Sequence, residues 1–115
     1  MLDEKDKQIL LKFAGYKEIK SSLGIVYYSS PDGDMTEVSS LDWQKKYIWA
    51  KLLADKRVDC FLIDATMVDI LLDGPYNKDE GGANSYDVAA TNSDLGVASA
   101  IACAKVIRAL YGKKN

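Results

Sequence analysis

The chain has 115 residues, of which 48% are hydrophobic and 28% charged, so it has the length and apolar content for one cored domain and no room for a second. Its formal net charge of −2 provides no broad basic field, which argues against nucleic-acid binding by phosphate neutralisation. The absence of histidine removes the commonest general base and metal ligand together, and with them any His-dependent triad or zinc site.

The N-terminal Met1-Leu2-Asp3-Glu4-Lys5-Asp6 lacks the apolar run of a signal peptide, and Cys60 and Cys103 sit inside apolar segments. The expectation is a cytoplasmic protein with reduced, packed thiols. Apolar runs fall well short of the ~20 residues that span a bilayer, so no membrane partner is expected.

Asp3 to Ala14 is predicted as the first helix, with Leu2, Ile9, Leu10, Phe13 and Ala14 at helical spacing and Gly15 as its stop. Tyr16 to Lys20 and Gly24 to Ser29 are predicted as extended, the second through Ile25, Val26, Tyr27 and Tyr28. Pro31-Asp32-Gly33-Asp34 has the composition of a tight turn. Ser39 or Ser40 is predicted to cap a second helix running from about Leu41 to Ala54, with Asp42 in a capping box with Ser39. Leu41, Ile48, Trp49, Leu52 and Leu53 would form its inner face, Gln44, Lys45 and Lys51 would face water, and Trp43 and Tyr47 would fall to the side.

Val58 to Asp64 and Met67 to Asp73 are short β-branched runs split by Ala65-Thr66. They are predicted as a hairpin, and the competing reading is one helix from Val58 to Leu72, because short apolar runs do not separate the two by period. Gly74 to Asn84, with breakers at both ends, is predicted as a long loop, and Ser85 to Thr91 as a last strand with Tyr86, Val88 and Ala90 on one face. Ser93 to Tyr111 has the clearest period in the chain: its apolar residues cover roughly 220° of a helical wheel, leaving Asp94, Ala98, Lys105 and Arg108 on the wet side. Ser93 is its predicted N-cap and Gly112 its left-handed stop, and Ala98, Ala100, Ala102 and Ala104 would let a sheet approach closely.

Candidate chemistry is sparse. Two distant cysteines make neither a CxxC pair nor a thiolate metal site, and packing explains both. Asp59, Asp64, Asp69 and Asp73 could converge on a divalent ion across a hairpin, although carboxylates alternating with apolar residues are more often a solvated face. Asp32-Gly33-Asp34 lacks the further oxygens of a calcium loop. No cofactor motif is present: Gly81-Gly82 has neither the strand-flanked GxGxxG nor the lysine of a phosphate cradle. Tyr76, Asn77, Asn84 and Tyr86 flank the predicted loop and could meet a small, nucleotide-like ligand. Trp43 and Tyr47, one turn apart, could anchor a partner protein, with core packing the plainer role.

Phe13-Ala14-Gly15-Tyr16, the helix opened by Ser40-Leu41-Asp42-Trp43 and carrying Trp49 and Lys51-Leu52-Leu53, and Ala90-Thr91 leading to Ala100-Ile101-Ala102-Cys103-Ala104 resemble the small phage and prophage proteins of the phage ABA-sandwich type. The resemblance covers most of the chain in order, departs from it at Gly74 to Asn84 and Asn92-Ser93-Asp94, and carries over no catalytic residue. It implies a helix and sheet sandwich in an accessory protein of a bacterial host's cytosol. Together these readings predict one α+β domain over 1–115, in the order αββαβββα, with a mainly antiparallel sheet of four or five strands around a central C-terminal helix. The expected role is a non-catalytic adaptor for a host or phage protein; a small-ligand binder or sponge at 74–84 is the alternative, and a metal-dependent enzyme using the strand aspartates a third. Val97, Ile101, Ala104 and Tyr111 on the last helix are the expected surface of a homodimer.

Overall fold

The computed structural model describes residues 2–24, 26–29, 38–77 and 82–112, and of 26–29, 73–77 and 82–86 the backbone alone. The predicted turn at Pro31 to Asp34 lies outside the described residues.

Helix α1, Glu4–Phe13, starts where the Asp3 side chain accepts the Asp6 amide at 2.8 Å. It stops at Gly15, whose φ of 94° suits a residue without Cβ. There the Gly15 amide donates to Lys12 O and the Tyr16 amide to Leu11 O, the paired bonds of a Schellman stop. Strands β1, Lys17–Lys20, and β2, Val26–Ser29, pair antiparallel as a separate two-stranded sheet.

Helix α2 runs continuously over 41–54 and consists of α-helical Leu41–Gln44, a π-helical turn over Lys45–Trp49 and α-helical Ala50–Ala54. Its N-cap is Ser40, which accepts the Trp43 amide, so the box between Ser39 and Asp42 is not the cap in use. A π turn advances about 80° per residue instead of about 100°, so the drift it imposes runs opposite to that of the α-helical turn after it, and Gln44 and Leu52, eight residues apart, return to the same side of the helix. Gln44, Ile48 and Leu52 thereby form one fully buried stripe. The predicted inner face is corrected at both margins: Gln44 is inside, and Leu53 is 50% exposed.

Strands β3, Val58–Ile63, β4, Met67–Asn77, and β5, Gly82–Thr91, form a three-stranded antiparallel sheet in that order. The hairpin reading of 58–72 therefore holds. The expected long loop is corrected, since β4 and β5 stay paired out to Asn77 opposite Gly82. A register shift between Asp73 and Tyr76 takes up Gly74-Pro75, a pair that sequence reading treats as breakers. Among the described residues the strands lie in two sheets, of two and three strands, and not in the single sheet of four or five that is predicted.

Helix α3, Leu95–Tyr111, is central: it packs on β4 and β5, on α1 and on α2. Asp94, one residue later than predicted, caps it by accepting the Gly96 amide at 2.9 Å, and Gly112 ends it in an extended conformation at φ −66° rather than a left-handed one. Ala98, Ala100, Ala102 and Ala104 are all fully buried. The wheel puts Ala98 on the wet side, yet it is fully buried, and the first turn of α3 docks against the segment before α2. At that contact a Cβ on Gly96 would lie 1.9 Å from the Ser39 carbonyl oxygen. The architecture is thus α+β, with three helices and a three-stranded sheet whose inner face, Val68, Ile70 and Leu72, is sealed.

Two stability predictions follow from this packing. Leu52→Ala should cost about 3 kcal/mol in denaturant unfolding, while Leu53→Ala stays within about 0.5 kcal/mol; a straight α-helical phase would make the two comparable. Gly96→Ala gains at most about 1 kcal/mol of helix propensity but drives a methyl into immovable backbone, so it should lower the unfolding midpoint by the equivalent of about 2 kcal/mol net.

Candidate functional site

The aromatic pair singled out from the sequence is inside the molecule. Trp43 is 3% exposed, donates its indole N–H to Tyr16 Oη at 3.0 Å, and meets the Tyr16 ring edge-on at a centroid distance of 5.9 Å. Tyr47 is half-buried against both rings and carries the Lys46 ammonium 5.0 Å from its centroid. Trp43 is therefore a packed core side chain on α2. Tyr76, Asn77, Asn84 and Tyr86 are strand positions, the first two on β4 and the others on β5, and their side chains lie outside the described residues.

The aspartates do not converge. Asp59 lies at a register shift of β3 and Asp64 accepts the Ala65 amide in the β3–β4 turn, both exposed, while the Asp73 side chain is outside the described residues. Among the described residues, no three of His, Cys, Asp and Glu stand close enough to share a metal ion. The sheet instead pairs Asp69 with Asp87, which sequence reading did not single out. Asp69 lies opposite Ala89 and Asp87 opposite Leu71, so the carboxylates are diagonal neighbours on the outer face. Asp69 Oδ1 is shut off from solvent. That burial, followed by the hydrogen bonding and charge of Asp87, holds the Asp69 carboxyl above the ordinary carboxylate range.

Neither cysteine forms a disulfide. Burial pushes the Cys103 thiol up to about 12, which leaves it a neutral packing group beside Ser99, whose hydroxyl accepts the Trp49 indole N–H at 3.1 Å.

A surface concavity lies elsewhere, between the C-terminal halves of α1 and α3. It has a volume of about 430 Å³ and is lined by Ile9, Lys12, Phe13, Ile107, Arg108, Tyr111 and Gly112. Ile9 and Phe13 are half-buried, and Tyr111 is 46% exposed with its ring 5.3 Å from Phe13. Tyr111 alone among these belongs to the expected dimer surface, of which Ala104 is buried and Val97 and Ile101 half-buried.

Cations surround the groove because two helix C-termini meet there. Lys51 donates to the Phe13 carbonyl at 2.7 Å and sits over the Phe13 ring, and Arg57 donates to the Leu110 carbonyl at 3.2 Å and sits over the Tyr111 ring. Arg108 pairs with Asp6 at 2.7 Å and so ties α3 to α1. Asp55 binds the Arg57 guanidinium and accepts the Tyr111 hydroxyl. Those contacts, Arg57 first, hold the Asp55 carboxyl well below the usual range, while the carboxylate raises the Tyr111 phenol above its ordinary value. The result is an apolar trough with a charged rim.

No family model, no curated protein and no solved structure matches this chain. No helix among the described residues is long and apolar enough to cross a membrane.

The Asp69–Asp87 pair has a pH signature. A carboxyl whose folded pKa is raised contributes stability below the unfolded value and loses it as pH rises through the folded value. Asp69→Asn should therefore raise the melting temperature at pH 7 and reduce the pH dependence of stability just above the ordinary carboxylate range. An unchanged pH profile in thermal scans would show that the pair does not interact.

Proposed function

We propose that this chain is a non-catalytic protein-binding module, of the accessory kind that its resemblance to small phage and prophage proteins implies, and that its contact surface is the α1/α3 groove. The observation that carries this reading is the groove itself: Ile9, Phe13, Ile107 and Tyr111 form a concave apolar surface on two mutually packed helices, with charge confined to the rim. An apolar centre on rigid elements with a polar margin is the arrangement that protein interfaces use. The carboxylates around it, Asp6 and Asp55, are both bound to arginines, which leaves no carboxylate pair poised for acid–base work.

Small-ligand binding at 74–84 gains little from the described backbone, where Tyr76 and Asn77 pair with Ala83 and Gly82. Two-fold pairing through α3 is the weaker alternative for the groove, because it would set the same rim cations against each other.

A random-peptide display selection on the immobilised full chain tests the proposal. Ligands should be enriched over uncoated support, and Tyr111→Ala or Ile9→Ala should weaken the best of them at least about tenfold, equivalent to about 1.4 kcal/mol, while the melting temperature confirms that each variant is folded. No enrichment, or ligands indifferent to both substitutions, would remove the reading.

A further inference from the structure

Resting on the groove as the contact surface, we infer that its occupant is an acidic amphipathic helix. The walls are side chains of α1 and α3, so the groove offers no row of backbone amides and carbonyls to an extended segment. An occupant has to satisfy its own backbone, which a helix does. A third helix laid in the trough between two others also buries apolar residues spaced i and i+3 or i+4, and about 430 Å³ accepts a pair of large side chains one turn apart.

Charge selects the kind of helix. Lys12, Lys51, Arg57 and Arg108 surround the groove, against the two carboxylates Asp6 and Asp55. That is a local positive excess on a chain whose formal net charge is −2. Lys12 lines the groove, is exposed, and has no ion-pair partner among the described residues. Carboxylates flanking the apolar stripe of an incoming helix would meet this rim, while lysines there would be repelled. A second copy of the chain fits poorly, because the exposed positions Lys105 and Arg108 of α3 are cationic as well.

The peptides recovered by the display selection, sequenced and measured against the full chain, test the inference. The enriched pool should be net negative, with large apolar residues at i and i+3 or i+4, and its members should gain helical circular dichroism on binding. Affinity should fall about tenfold between about 0.05 M and about 0.5 M salt. It should fall by a similar factor on Lys12→Glu and be retained on Lys12→Arg. A pool that is enriched but neutral, basic or proline-rich and extended, or binding indifferent to salt and to Lys12→Glu, overturns the acidic helix and leaves the groove reading standing. A selection that enriches nothing removes the groove reading itself. Sedimentation equilibrium of the protein alone completes the test: a monomer is expected, and a dimer abolished by Tyr111→Ala would make a second copy the occupant and overturn the inference.

Discussion

The side-chain amide of Gln44 joins three parts of the chain at one buried point. It is fully buried, and its nitrogen donates to the Val38 carbonyl at 2.8 Å and the Gly96 carbonyl at 2.9 Å. The segment before α2, α2 itself and the first turn of α3 are thereby held together. Both neighbours are acceptors, which fixes the amide orientation and leaves Oε1 buried with no hydrogen-bond partner among the described residues. Two net hydrogen bonds contribute about 1 kcal/mol each, and an unsatisfied buried acceptor costs about 1–3 kcal/mol. The node therefore adds little stability, and its effect is on register. It brings Ser39 so close to Gly96 that only glycine fits there.

That node also marks where sequence reasoning stopped. The α3 period, the β3–β4 hairpin and the Gly15 stop were legible because each depends on residues near one another in the chain. The side of α2 that faces inward was not, because a single π turn rotates everything after it and leaves no signature in Lys45 to Trp49. Polarity alone puts Gln44 in water, whereas its environment is set by Gly96, far away in sequence. Gly74-Pro75 normally ends a strand, yet a register shift absorbs it here. The groove was hidden for a related reason: its walls come from opposite ends of the chain, and Ile9, Phe13 and Ile107 each pass individually as core residues. The one hint in the sequence is that the apolar arc of α3 is wider than a single neighbour can cover, which marks Tyr111.

The groove and the sheet face that carries Asp69 and Asp87 are separated by α3, which packs on the sheet and on α1. A net charge of −2 therefore averages over unlike surfaces. A carboxylate pair on the outer sheet face and a cationic rim on the helical side orient the chain in an approaching field, over a range limited to about 10 Å at 0.1 M ionic strength.

The size of the rim's field depends on why its cations are there. Lys51 and Arg57 are bound to the last carbonyls of α1 and α3, so part of their charge answers the helix dipoles. Two C-terminal dipole ends offset about one elementary charge between them. Asp6 and Asp55 offset two of the four cations, and the remaining excess is about one unit once the dipole ends are included. Lys51, Arg57 and Arg108 are each engaged with a carbonyl or a carboxylate, so that unit resides on Lys12. Lys12 sits in the last turn of α1, where it complements the same dipole end, and it stands beside the apolar surface of the groove where an incoming carboxylate would meet it.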